Sequence, residues 1–162
     1  LVDSSKQEHQ PLLDWILRIN CDAYLLSSGN DIGEVPDRDQ TEKQIIKHCE
    51  DNSIPLLGIC RGMQMIGNYY NPPLINVEGH VRTRHKLSVT DSETLPTSVN
   101  SYHNQVLVNC PASFNVIATS EDGNIEAIQH KSLPVEGWMW HPEREDQFSP
   151  VNLARFNNLL RQ

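Results

Sequence analysis

The stretch Pro55-Leu56-Leu57-Gly58-Ile59-Cys60-Arg61-Gly62-Met63-Gln64 constrains the fold more than any other part of this chain. A short apolar run ends in a cysteine bracketed by Gly58 and Gly62, and residues able to form a helix follow at once. This reads as a buried strand over Pro55 to Cys60, a sharp turn, and a helix over Arg61 to Tyr70. Such a turn lifts one side chain above the end of a sheet, and glycines beside it remove Cβ atoms that would clash. Upstream, Asp22 to Leu26 reads as another short buried strand, ending in the turn Ser27-Ser28-Gly29-Asn30-Asp31. Between them Asp39 to Asp51 reads as a helix, with Asp39 as its cap and Glu42 three residues on, as in a capping box. Ahead of all these, Gln10 to Ile19 is a strongly apolar helix pattern. Strands and helices alternating over short links predict an α/β fold, a three-layer sandwich whose central sheet is mainly parallel. Ligands on such sheets bind at the carboxyl ends of the strands, where both Ser28-Gly29 and Cys60 fall.

The second half is patterned differently. Asn76 to Ser101 is polar with few periodic apolar residues and reads as loops with short strands. Phe114 to Thr119, Ile125 to Gln129 and Val135 to Trp140 read as strands, antiparallel in part. Val151 to Leu160 reads as a closing helix with Leu153, Phe156, Leu159 and Leu160 on one face. At 162 residues the chain has the size of a single domain with room for a real core. Its net charge of -8 excludes the basic face that nucleic acids and anionic membranes require. With no long apolar span and no CxxC pair among Cys21, Cys49, Cys60 and Cys110, the expectation is a cytoplasmic protein with reduced thiols.

Cys60 has two readings. A lone cysteine in an apolar strand is a small buried hydrophobe; a cysteine at a strand-to-helix turn is a nucleophile whose thiol the helix N-terminus acidifies. Trp140-His141-Pro142-Glu143 supplies what the second reading needs. His141 stands at a strand end, Pro142 forces an extended or turn geometry, and Glu143 can orient the imidazole. The plain alternative is a strand-end histidine beside a solvated glutamate. Acyl transfer also needs oxyanion donors. The Arg61 amide follows the nucleophile, and the Gly29 amide is the second candidate on topology, against an ordinary turn glycine. Cys21, Cys49 and Cys110 are assigned to packing. His9, His48, His80, His85, His103 and His130 show no metal-ligand spacing, so no metal and no cofactor are expected.

Gly58 to Gln64 with His141-Pro142-Glu143 resembles the class I glutamine amidotransferase superfamily, and more closely its γ-glutamyl hydrolase branch of the peptidase C26 type. That branch also shows a Ser-Gly-Gly-x-Asp turn, here Ser27 to Asp31, and an Arg-Asp-x-x-Glu helix start, here Arg38 to Glu42. Its Asn-Ser-x-His stretch is here Asn100-Ser101-Tyr102-His103, and its acidic-Ala pair is Glu126-Ala127. The likeness is collinear from about residue 22 to 145. Within the branch, Met139 to Glu145 and the Gly79 to His85 loop look like hydrolases of sugar-nucleotide and capsule gene clusters, one of which acts on γ-glutamyl-CDP-amidate.

The resemblance implies a flavodoxin-like fold and a thioester mechanism. Cys60 attacks a γ-glutamyl amide, His141 protonates the departing amine and then activates water, and Glu143 orients the ring. The Gly29 and Arg61 amides hold the oxyanion, and Gln64, Tyr102 and His103 face the substrate; the plain readings are a polar helix flank for Gln64 and a loop surface for the other two. Three positions depart from the family. Ser28 replaces the first glycine of the usual pair, and Met139 stands where many relatives carry glutamine. Cys60 also comes early, so the domain is expected to lack an N-terminal strand and helix, with Leu1-Val2 the tail of a further strand. Three functions stay open: a stand-alone hydrolase of a small γ-glutamyl compound, a glutaminase subunit serving a synthetase partner, and a non-catalytic binding relative. A homodimer is equally open. His80, Arg82, Arg84 and His85 could meet an anionic group of the substrate, or be an exposed basic loop.

Overall fold

A computed structural model describes residues 10–70 and 72–161, with only the backbone of Gln10 and Pro11. The expectation for Leu1-Val2 lies outside these residues. The elements are α1 (Gln10–Ile19), β1 (Tyr24–Leu26), α2 (Pro36–Asn52), β2 (Leu56–Ile59), α3 (Arg61–Tyr69), β3 (Leu74–Asn76), β4 (Val81–Val89), β5 (Ser98–Tyr102), β6 (Gln105–Leu107), β7 (Phe114–Ser120), β8 (Ile125–His130), β9 (Val135–Trp138) and α4 (Pro150–Leu160). A single turn of 3-10 helix covers Pro142–Arg144. No helix among the described residues is long and apolar enough to cross a membrane.

The fold is α/β, as the alternating pattern requires, but its sheet is mixed. Seven strands run in the order β1-β2-β9-β8-β7-β4-β5. Only β1 with β2 and β2 with β9 pair in parallel; the four remaining contacts are antiparallel. The expectation of a mainly parallel sheet therefore fails among the described residues. A parallel pair needs a long crossover, which α2 supplies between β1 and β2, whereas β7, β8 and β9 follow one another through short hairpins. β3 and β6 form a separate antiparallel pair.

The parallel strands alternate their side chains between two apolar clusters. Leu56 and Val135 face α2 and α3, packing with Ile46, Cys49, Met63 and Ile66. Leu57, Ile59 and Trp138 face the opposite side, where they meet Leu95, Trp140 and Leu159. Period-two alternation with both faces covered explains why β2 reads as a continuous apolar run. The Trp138 and Trp140 rings stack 5.4 Å apart and nearly parallel, and Trp138 Nε1 donates to Glu136 (3.1 Å). Glu136 is itself buried and held by Arg155 of α4 at 2.8 Å.

Three local expectations need correction. α2 begins at Pro36, with Val35 at its cap and no side-chain capping bond. Asp39 and Glu42 turn inward to Arg61 instead of capping the helix. β4 is a nine-residue strand in the region read as loops; most of it is exposed, so it is held by backbone ladders on both edges rather than by an apolar stripe. In α4 Asn152, Phe156 and Leu159 point inward while Leu153 and Leu160 are exposed. The buried stripe follows 152, 156 and 159, and Leu153 and Leu160 stand one step off it.

Candidate active site

Parallel register brings the site together. Leu26 pairs with Gly58, and Ile59 with Trp138. Adjacent strands lie roughly 5 Å apart, so the segments leaving β1, β2 and β9 emerge side by side at one sheet edge. They carry Ser27 to Gly29, Cys60, and Met139 to His141 respectively.

Cys60 sits at the turn itself, with φ 51 and ψ -106. A non-glycine residue there is strained by about 1–3 kcal/mol, and the surroundings fix it. Its N–H donates to Trp138 O at 2.7 Å and its carbonyl accepts from Gln64 N at 3.0 Å. Glycines let α3 press onto the sheet: a Cβ on Gly62 would collide with the Leu26 carbonyl, and one on Gly58 would come 2.5 Å from the Gly62 backbone. Burial pushes the Cys60 thiol up to about 11; the Arg61 N–H and the Arg144 charge work the other way, while Glu143 and Glu126 add to the rise. The expected acidification of the thiol therefore does not result: the Arg61 N–H at the start of α3 lowers the pKa, but burial outweighs it. The resting group is a thiol, and it needs a base.

His141 has the geometry of one. Its Nδ1–H donates to Glu143 Oε1 at 2.6 Å, since a carboxylate can only accept. That fixes the tautomer and leaves a lone pair on Nε2, which is buried and has no hydrogen-bond partner. Burial lowers the His141 pKa from 6.5, Glu143 raises it by hydrogen bond and charge, and Arg144 and His103 lower it further. The net fall keeps the ring neutral near pH 7.

The backbone of His141 is clamped by a residue that local sequence reasoning did not assign. Asn100 Oδ1 accepts from His141 N (2.8 Å), and Asn100 Nδ2 donates to His141 O (2.7 Å) and Glu145 Oε1 (3.0 Å). Only the Asn100-Ser101-Tyr102-His103 motif hinted at it, because the partners are far apart in sequence. Asn100→Ala removes both halves of the clamp and is expected to destabilise by about 1–3 kcal/mol. Asn100→Asp keeps the acceptor and should fall between wild type and Ala in chemical denaturation.

Beneath the turn lies a buried lattice of opposite charges. Arg61 donates through Nη1 to Glu42 Oε2 and through Nη2 to Asp39 Oδ1. Glu42 Oε1 also accepts from Arg38 Nε at 2.9 Å, and Asp39 Oδ2 from Gly33 N at 2.7 Å. Arg38 then reaches the carbonyls of Ser27 and Ser28 (3.0 and 3.1 Å) and Asn30 Oδ1 (3.1 Å). A Cβ on Gly29 would collide with that guanidinium. One network thus ties the loop after β1 to the residue after Cys60.

The other expected site residues are dispersed. Tyr102 stands edge-on to His141, ring centroids 5.6 Å apart, with Arg144 4.4 Å from its ring centre. Gln64 is buried and donates Nε2–H to Gln105 O (2.9 Å). His103 is buried as well, its Nδ1 3.2 Å from the same carbonyl, so neither lies on a surface. His80 is likewise 2 % exposed, which removes it from the basic loop. Arg82 and Arg84 are exposed, and Arg84 pairs with Glu145 at 3.0 Å. An apolar groove of about 490 Å³, lined by Leu25, Ile59, Trp138, Phe148 and Phe156, runs past Glu143. Neither Cys60 nor His141 lines it.

The Peptidase C26 family model matches residues 26–143. Gamma-glutamyl-CDP-amidate hydrolase of Campylobacter jejuni is 34% identical over 139 residues, covering 82% of this chain and 68% of that protein. A glutamine-hydrolyzing GMP synthase subunit of Thermoplasma acidophilum is 30% identical over 105 residues, covering 61% of this chain, and this chain spans only 52% of its length. A solved structure of a GMP synthase subunit candidate from T. acidophilum superposes with a TM-score of 0.72 at 28% identity, covering 87% of this chain and 72% of that one.

Proposed function

From the premise that this chain belongs to the peptidase C26 family and is a glutamine-amidotransferase-like hydrolase, we propose that it cleaves the γ-glutamyl amide bond of a small molecule through a Cys60 thioester. The observation that carries this reading is the buried, unpartnered Nε2 of His141, its tautomer fixed by Glu143, on the segment leaving the strand next to the strained Cys60 turn. His141 takes the thiol proton as Sγ attacks the γ-carbonyl, and the amides of Arg61 and Gly29 stabilise the oxyanion. The imidazolium returns that proton to the leaving amine. Water, deprotonated by the same nitrogen, then releases glutamate and restores the thiol. The glutamyl group would sit against Tyr102, with Gln64 and His103 supporting the pocket from behind.

The identity to gamma-glutamyl-CDP-amidate hydrolase favours a leaving group that bears a nucleotide. The similarity to the GMP synthase subunit supports a second reading, in which the chain serves a separate synthetase. Glutamate release from γ-glutamyl amides, with nucleotide-bearing and small-amine leaving groups compared, separates the two. Activity on glutamine that rises sharply only when a synthetase is added would favour the second. Rapid acid quench should trap a glutamyl group on the intact protein, and its absence under turnover would refute the thioester.

The pH profile follows from the two shifted groups. The acid limb of kcat/KM reports His141 in the free enzyme, so its midpoint should lie below 6.5, with burial as the chief cause. The alkaline limb belongs to Cys60, near 11, which leaves a broad plateau between. Glu143→Gln removes the influence that raises the His141 pKa. Its acid limb should therefore move to lower pH, while the plateau rate falls by about 10²-fold. An acid limb that moves up instead would show that Glu143 does not act on the ring.

A further inference from the structure

We propose that His80, His85, His103 and Glu126 form a binding site for one divalent transition-metal ion of the zinc class. The four come from three segments: His80 just before β4 with His85 within it, His103 just after β5, and Glu126 on β8. All four donor atoms lie within 4.8 Å of one another. Three of them form a nearly equilateral triangle. His80 Nδ1 to His103 Nε2, His80 Nδ1 to Glu126 Oε1, and His103 Nε2 to Glu126 Oε1 are each 3.4 Å. Ligands of a tetrahedral zinc ion with bonds of about 2.0–2.1 Å stand about 3.4 Å apart, so the triangle matches one face of such a polyhedron.

Hydrogen bonds outside the triangle set the inward atoms as acceptors. His80 Nε2 lies 2.8 Å from Asp122 Oδ2, and His103 Nδ1 lies 3.2 Å from Gln105 O. A carboxylate and a carbonyl can only accept, so both outer nitrogens carry the hydrogen. Neutral rings in those tautomers aim the lone pairs of His80 Nδ1 and His103 Nε2 at each other and at Glu126. Both Glu126 oxygens are fully buried without a hydrogen-bond partner, as is His85 Nε2. Two lone pairs and a carboxylate facing one another without a donor repel, and a cation among them satisfies all three. A carboxylate or carbonyl behind each ligating histidine is also the usual outer support of zinc-bound imidazole. Three imidazoles and one carboxylate suit zinc better than calcium or magnesium, which want oxygen ligands.

The proposal reverses the expectation drawn from local spacing, and it stands whether or not the γ-glutamyl reading is correct. Its test uses the whole chain with Cys60→Ala, which removes as a competing ligand the thiol that the Glu126 charge reaches. After chelator treatment and dialysis against zinc, one equivalent should remain bound through gel filtration. Cobalt should give the intense visible bands of a four-coordinate site, without a sulfur charge-transfer band. Asp122→Asn changes a half-exposed residue, so the fold is expected to survive, and it should weaken zinc binding 10–100-fold. His85→Ala should weaken it by at least as much. Retention of no zinc at micromolar free metal would overturn the proposal and leave protons as the cluster's counter-charge. So would a weak six-coordinate cobalt spectrum, or equal affinity in the Cys60→Ala chain and in both variants made on it.

Discussion

Cys60→Ala is expected to reduce glutamate release from a γ-glutamyl amide by roughly 10⁴–10⁶-fold while the protein stays folded. The residual rate would come from the oxyanion donors and from binding. Parental activity in this variant would remove Cys60 from the mechanism altogether. Backbone geometry gives the position a second signature. At φ 51 and ψ -106 alanine is as strained as cysteine, whereas glycine is not. Cys60→Gly should therefore be more stable than Cys60→Ala by about 1 kcal/mol or more, although both should lose activity. The native enzyme would then hold its nucleophile at the expense of stability. Denaturation midpoints in the order Ala above Gly would contradict that.

The second large effect is expected at Arg61, through structure rather than chemistry. Arg61 is almost wholly buried and answers two carboxylates that are themselves nearly buried, Asp39 and Glu42. Arg61→Met leaves both without their shared partner, and removing one member of such a set destabilises by about 3–5 kcal/mol. Adding Asp39→Asn and Glu42→Gln should recover much of the loss, because the cost lies in Asp39 left without a cation and Glu42 left with Arg38 alone, and not in the missing guanidinium. Activity should recover less than stability does. Arg38, which grips the carbonyls of Ser27 and Ser28, is also paired with Glu42, so the rescued protein would still have a loosened loop at Gly29. A triple variant no more stable than Arg61→Met would place the loss elsewhere.

What the sequence made legible was local. The Cys60 turn could be read because its needs, small neighbours and an adjoining strand and helix, are met within a few residues. β2 could be read because a strand covered on both faces is continuously apolar, whereas β1, apolar too, leaves Leu25 exposed. β4 was hidden for the opposite reason: Val81 to Val89 is mostly exposed and held by ladders to β5 and β7, which leave no hydrophobic period. The start of α2 was misplaced because Asp39 and Glu42 resemble a capping box, while a buried arginine 22 and 19 residues away competes for them. In the cluster of His80, His85, His103 and Glu126 only His80 and His85 share a stretch of chain, and β-sheet pairing brings His103 and Glu126 to them. Asn100 was passed over likewise: its hydrogen bonds to the His141 backbone span 41 residues.

The stacked indoles of Trp138 and Trp140 give the molecule an optical property of its own. The chain has three tryptophans, and the third, Trp15, is 53% exposed on α1. A collisional quencher in solvent therefore silences Trp15 first and leaves the emission of a shielded, closely coupled pair. That pair sits on the strand segment leading to His141, and the Trp138 carbonyl accepts the Cys60 N–H. Quencher-resistant fluorescence and the near-ultraviolet dichroism of two parallel rings thus report on the sheet edge where Cys60 is held. Neither signal requires a label.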